Sequence, residues 1–275
     1  MIAADSRPDT SAMPGAIAVE QVSVRFRSPG REVVALQSID LQVAPGEFVC
    51  LLGPSGCGKS TLLNAIAGFT APTAGAIRVD GRPVAGPGPD RGMVFQEYAL
   101  FPWMTVAQNI AFGMQIQRRP KPEIAARVEA LLGQFELRDF HDRYPKDLSG
   151  GMRQRVAIAR VLAIDPPILL MDEPFGALDA LTRRSLQDEL LALWGRLQKT
   201  IVFVTHSIEE SIYLADRIVV MTYRPGTVKR AITVPLERPR DPSSAGFNAL
   251  AREVSALVME EQQRHERDER AVQAK

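Results

Sequence analysis

The sequence predicts a layered α/β fold with a mainly parallel central sheet, and three observations carry that expectation. Four short runs, "FVCLLG", "PILLMD", "TIVFVTH" and "RIVVM", are apolar throughout, as strands buried on both faces are. Helical patterns lie between them; within residues 181–198, Leu186, Leu190, Leu193 and Leu197 form one stripe at helical spacing. The first three runs end in glycine or polar residues: Gly53, then Asp172 and Glu173, then Thr205 and His206. Ligands of open α/β sheets bind outside the carboxyl ends of the strands, so these three ends point to one site.

Taken in chain order, residues 1–16 read as a disordered lead-in with neither the basic start nor the apolar centre of a secretory signal. From Ile17, "IAVEQVSVRF" alternates through Val22, Val24 and Phe26, as a half-buried strand does. Turn-forming "SPGRE" and "APGE" interrupt the strand-like runs that follow, which indicates an N-terminal antiparallel β part. Between about residues 97 and 163 the strand signal fades. "PEIAARVEALLGQF" and "GGMRQRVAIARVLA" are helical in pattern, so this stretch reads as a helical insertion in a domain spanning 17–240. Over 241–275, Leu250, Val254, Leu257 and Val258 share one face of a C-terminal helix, and "EEQQRHERDERAVQAK" reads as its solvated, mixed-charge tail.

Composition narrows the class. Hydrophobic residues make up 45% and charged residues 24%, ordinary for a globular protein with a sizeable core. A net charge of +1 argues against nucleic acid as a bulk partner. Two cysteines, Cys50 and Cys57, are too few for a disulfide framework and suit a reduced compartment. No run approaches the ~18 apolar residues of a membrane span, so work at a membrane would go through a partner.

The most specific local motif is "GPSGCGKST": Gly53, Pro54, Ser55, Gly56, Cys57, Gly58, Lys59, Ser60 and Thr61. It fits G-x-x-x-x-G-K-[ST] between a predicted strand and a predicted helix, the setting of a phosphate-binding P-loop. The glycines let successive backbone N–H groups face the phosphates, Lys59 supplies charge to the β- and γ-phosphates, and the Ser60 hydroxyl can ligate Mg²⁺. Nucleotide binding by a P-loop NTPase core follows, with ATP and Mg²⁺ as the expected cofactors. Cys57 reads either as a small side chain at a variable position or as a thiol activated by the helix N-terminus.

"PPILLMDEP" delivers Asp172 to a strand end, where it can hold Mg²⁺ through water, and Glu173 next to it could accept a proton from an attacking water. His206 in "VFVTHS" reads either as a structural hydrogen-bonder or as a γ-phosphate contact. Gln96, after "GMVF", could touch Mg²⁺ and water.

In order, "GPSGCGKST", the glutamine of "VFQ", "LSGGMRQR", "ILLMDEP", "GALD" and "VTHS" resemble the ATP-binding subunit of an ABC transporter, from about residue 17 to residue 240. The resemblance implies an ABC ATPase domain that hydrolyses ATP to ADP and phosphate and works as a head-to-tail homodimer with two ATPs sandwiched. Lys59, Ser60 and Thr61 would hold phosphates and Phe26 would stack on adenine. Ser149, Gly150 and Gly151 of the partner would close over the γ-phosphate, with Gln154 nearby and Asp179 bridging the two sites. Gly176 departs from the serine common before "ALD" and leaves that loop's shape open.

"GPGPDRGMVFQEYALFPWMTV", "YRPG" and "ERPRD" resemble the import branch that serves nitrate, taurine and aliphatic sulfonates. That implies a peripheral protein at the cytoplasmic face of the bacterial inner membrane. Two permease subunits would contact the region of Phe101, Pro102 and Trp103, and a periplasmic solute-binding protein would deliver solute. These aromatics also read as packing of the insertion against the sheet. A non-transport ABC ATPase acting on nucleic acid or ribosomes is the alternative. It is disfavoured by a single set of motifs, no CxxC and near-neutral charge. A P-loop small-molecule kinase is argued against by "LSGGMRQR".

Overall fold

Residues 14–273 are described in the computed structural model, and they build two sheets of different character. Strand β1 (Ile17–Ser28) pairs antiparallel with β2 (Arg31–Val43) across a turn at Pro29 and Gly30. The chain then enters the second sheet as β3 (Phe48–Leu52) and passes through the phosphate loop into α1 (Lys59–Ala67). It returns to the first sheet for β4 (Ala74–Val79) and the short β5 (Arg82–Pro83), giving the order β2-β1-β4-β5. Strand β6 (Arg91–Val94) precedes three helices, α2 (Val106–Ile116), α3 (Lys121–Gln134) and α4 (Gly150–Ala163). There follow β7 (Ile168–Asp172), α5 (Ala180–Leu197), β8 (Thr200–Thr205), α6 (Ile208–Leu214), β9 (Arg217–Met221), β10 (Val228–Thr233) and α7 (Ala245–Gln273). The second sheet runs β10-β9-β3-β8-β7-β6, parallel throughout except for the β9–β10 edge pair.

The unbroken apolar strands have a simple cause. In β3, Val49 and Leu51 join a core with Leu62, Leu63 and Ile66 of α1 and with the inner face of the first sheet. Phe48, Cys50 and Leu52 face the other way, into a second core built with α2, α4, α5 and α6. Both faces are covered, so no position in the strand can be polar without an unpaired group. Burying each large aliphatic side chain contributes about 1.5–3 kcal/mol.

Helix starts are set locally. Thr105 caps α2 in a capping box with Gln108, Ser149 caps α4 and Asp179 caps α5. On α5, Leu186, Leu190 and Leu193 are buried as the stripe predicts, while Leu197 in the last turn is 36% exposed.

Two expectations need adjusting. Most of the expected lead-in over 1–16 lies outside the described residues. Within it, however, the N–H groups of Gly15 and Ala16 donate to Asp80 Oδ1, tying the chain to the end of β4 ahead of the first strand. The alternation through β1 fails at Phe26, which is 48% exposed, because register shifts between Val19 and Arg25 turn the strand. The mixed-charge tail, read as a frayed helix, continues α7 as far as Gln273. Among the described residues, no helix is long and apolar enough to cross a membrane.

Candidate active site

The phosphate loop bridges β3 and α1. Gly58 sits at the N-cap of α1 with φ +101°, and a Cβ there would stand 2.7 Å from Leu36 Cδ2, so only glycine fits. With no side-chain cap and no acidic residue in its first turn, α1 leaves its N-terminal N–H groups for an anion. Lys59 is buried, and its ammonium donates to the carbonyls of Gly53 at 2.9 Å and Pro54 at 3.1 Å. A cavity of about 290 Å³ opens over the loop. Phe26, Val33 and Ala35 supply apolar lining, and Ser55, Gly56, Gly58, Lys59, Ser60 and Thr61 supply the polar part.

The strand ends converge as the parallel register requires. Asp172 of β7 lies opposite Val204 of β8, and Met171 lies opposite Val94 of β6. Gln96, Glu173 and His206 therefore leave neighbouring strand ends in the same direction. Ser60 Oγ donates to Asp172 Oδ1 at 2.9 Å, joining α1 to β7. Burial raises the Asp172 carboxyl above its ordinary range, partly opposed by the Ser60 hydrogen bond.

Glu173 adopts φ +44°, a left-handed conformation that costs a non-glycine residue about 1–2 kcal/mol. The β8 register holds it there, through its N–H donating to the Val204 carbonyl at 3.0 Å. This kink separates the two acids: Asp172 meets Ser60, while Glu173 lines the cavity and its Oε2 lies 3.0 Å from His206 Nδ1. Gln96 is exposed and does not line the cavity. The Ser60 hydroxyl and the Asp172 carboxylate, joined at 2.9 Å, are hard-oxygen donors of the kind that fits Mg²⁺, and the Gln96 amide leaves the next strand end.

A second group of predicted residues lies elsewhere. Ser149 is exposed, its Oγ accepting from the Met152 N–H at 3.3 Å, and with Gly151, Arg155, Leu181 and Thr182 it lines a separate concavity of about 370 Å³. Gly150 and Gly151 are half-buried. Asp179 is exposed, and hydrogen bonds from Thr182, its backbone N–H first, hold its carboxyl below the usual range.

Gln154 is fully buried on α4, and neither of its amide atoms is hydrogen-bonded among the described residues. At Gly176 a Cβ would find only ordinary contacts of 3.4 Å or more, so that loop does not depend on glycine.

Cys57 is buried beneath the loop. Burial pushes its thiol up, and the nearby Lys59 charge offsets this only in part, which favours the packing reading over the activated thiol. Phe101 packs against Phe112 at 4.5 Å between ring centroids, with the Arg160 guanidinium over its face, whereas Trp103 is 69% exposed. The two aromatics thus divide between the readings, packing for Phe101 and an accessible surface for Trp103. Sequence reasoning missed Val33, Ala35 and Arg224 in the cavity wall. Arg224 lies in "YRPG", and only its place in the fold brings it to the loop.

The ABC transporter family matches this chain over residues 36–176. An uncharacterized ABC transporter ATP-binding protein of Methanocaldococcus jannaschii is 49% identical over 243 residues, 88% of this chain and 91% of that protein. The nitrate import ATP-binding protein NrtD of Synechocystis sp. is 52% identical over 74% of this chain and 77% of its own length. The taurine import ATP-binding protein TauB of Jannaschia sp. is 47% identical over 86% of this chain and 87% of its own. A dimeric post-hydrolysis ATP-binding cassette bound to ADP and Pi matches with a TM-score of 0.71 at 33% identity, covering 80% of this chain and 100% of that one.

Proposed function

This chain belongs to the ABC transporter family as an ATP-binding ATPase, and from that premise we propose that it powers import of taurine, an aliphatic sulfonate or nitrate through a separate membrane permease. It works as a head-to-tail homodimer at the cytoplasmic face of the bacterial inner membrane, with a periplasmic solute-binding protein delivering solute. Similarity to nitrate and taurine import ATP-binding proteins supports the solute class. The exposed Trp103 supports a permease contact on the insertion. The observation that carries the ATPase chemistry is the convergence of Lys59, Ser60, Asp172, Glu173 and His206 at one set of strand ends.

Each residue has a physical task. Lys59 exchanges its carbonyl partners for phosphate oxygens, and Thr61 and the loop N–H groups hold the rest of the triphosphate. Phe26 lies against the adenine. Ser60 and Gln96, and Asp172 through water, would hold Mg²⁺, which would supply positive charge to offset that of the β- and γ-phosphates. Glu173 accepts the proton of the attacking water, and His206, hydrogen-bonded to it, fixes the carboxylate. The partner's Ser149, Gly150 and Gly151 close over the γ-phosphate, and Asp179 lies between the two sites. ATP favours the closed dimer by the difference in contacts that the γ-phosphate makes in the two states, and hydrolysis removes that difference.

Glu173→Gln tests the chemistry. The variant should bind MgATP and dimerise, while phosphate release falls about 10²–10⁴-fold. Near-normal turnover would remove Glu173 from the catalytic role. Uptake of labelled taurine, methanesulfonate and nitrate, in cells with and without the chain, tests the solute class. Unchanged uptake of all three would reject it.

A further inference from the structure

The turn between β9 and β10 touches the nucleotide cavity on one side and the C-terminal helix on the other. Gly226 lies so close to the phosphate loop that a Cβ there would stand 2.2 Å from the Cys57 carbonyl oxygen. Its N–H donates to the Ala35 carbonyl at 3.0 Å, and its carbonyl accepts from the Gln37 N–H at 2.9 Å. Two residues earlier, Arg224 lines the cavity, and its Nε donates to the Gly56 carbonyl at 3.2 Å. The side chain is otherwise exposed, and among the described residues no carboxylate pairs with it.

The opposite side of the turn is held from α7. The Tyr223 N–H donates to Glu261 Oε2 at 3.0 Å, and Glu261 Oε1 accepts from Lys229 Nζ at 2.7 Å. Glu261 is only 4% exposed, so its carboxylate is committed to these two partners. The Tyr223 ring also stacks on His265, with centroids 3.8 Å apart. Among the described residues none of α7 lines the cavity, yet α7 fixes the backbone beside one that does.

We propose that Arg224 is a nucleotide-binding residue whose guanidinium contacts the phosphates of ATP bound in the same subunit, and that Glu261 is a positioning residue holding it there from the C-terminal helix. The proposal rests on the ATP reading of the cavity. A guanidinium is planar, permanently charged and carries several donors, which matches phosphate oxygens. Here one donor is anchored on Gly56, inside the loop that would cradle those phosphates, and the terminal nitrogens remain for a ligand. Among the described residues Glu173 is the one carboxylate of the cavity wall, and it is engaged with His206. Movement of the turn is opposed on two sides, by Gly226 against Cys57 and by Glu261 under Tyr223.

The test is ATP affinity of the full chain, measured by equilibrium binding, together with the unfolding midpoint of each nucleotide-free variant. Arg224→Gln should raise the ATP Kd about tenfold, and Arg224→Lys should recover part of the loss. Glu261→Gln should raise it about threefold alone and add nothing in the Arg224→Gln background. Glu261→Asp, which keeps the charge for Lys229 but shortens the reach to Tyr223, replaces it if the glutamine variant fails to fold. ATP affinity within twofold of wild type in Arg224→Gln overturns the assignment. A Glu261 effect that persists undiminished without Arg224 overturns the positioning role. Lys59→Ala is the control for the cavity itself: wild-type ATP affinity there would reject the nucleotide reading, independently of Arg224.

Discussion

Helices α1 and α4 both begin among small residues, and the two starts make different kinds of site. At α1 the N-cap is Gly58, which has no side-chain oxygen, so the first N–H groups are left for a ligand. Around it the chain assembles a buried Lys59, the Ser60–Asp172 hydrogen bond and the Glu173–His206 pair. At α4 the N-cap is Ser149, which spends its Oγ on Met152, and the basic residues that follow are committed elsewhere. Arg153 donates to the Leu148 carbonyl, and Arg155 pairs with Glu136 and Glu189. None of Asp172, Glu173 and His206 lines its concavity. A glycine-rich helix start becomes a reaction centre only where strand ends converge on it. The α4 start lacks that convergence and suits completing a site that lies on another copy.

The strongest way to break this comparison is to remove the cation that distinguishes α1. Lys59→Ala should weaken ATP binding by about 100-fold or more, because a buried ammonium aimed at phosphates makes charge-assisted contacts that water cannot replace there. Ser149→Arg should change the affinity of the isolated subunit less than twofold, since Ser149 does not line the cavity. Equal losses in the two variants, read by equilibrium ATP binding, would show that the two starts serve one site in one chain.

Mixing the two variants sharpens the point. Each homodimer carries one defect in both of its composite sites and should be nearly inactive. In a heterodimer, the unaltered loop of one subunit meets the unaltered Ser149 of the other, so one site is intact. An equal mixture should recover about a quarter of wild-type sites, measured as phosphate release after subunit exchange. No recovery would mean that the α4 start does not act across a dimer.

Much of this was legible because it is local. The P-loop, the apolar strands and the acids at their ends are fixed by spacing and period within a few residues, and the structure brings Lys59, Ser60, Asp172 and Glu173 together accordingly. What escaped depends on register and on packing partners. Period alone puts Phe26 in line with Val22 and Val24, and only the family resemblance assigns it to the nucleotide; the irregular register of β1 is what turns it toward the cavity. Gln154 has the helical setting that periodicity predicts, but which face of α4 is covered is decided by the helices and strands around it. Arg224 is about 170 residues from the loop it touches, a proximity created by the parallel pairing of β3 with β9.

The smallest expected effect concerns how firmly the α1 start is packed. A thiol at a helix N-terminus beside a lysine has two reasons to ionise, and Cys57 has both. It is nonetheless buried, and burial outweighs them, so its pKa lies above the ordinary thiol value and its thiolate stays scarce at neutral pH. Cys50, within β3, is fully buried and raised further by the same cause. Both thiols of the folded protein should therefore resist alkylation at neutral pH, reacting at the rate of unfolding, and intact-mass measurement should show one slow phase. Nucleotide should slow that phase only as far as it stabilises the fold. A rapid single modification at Cys57, suppressed by ATP, would show instead that the loop opens in the free protein. The contrast between a packed start at α1 and an exposed one at α4 would then hold only for the nucleotide-bound state.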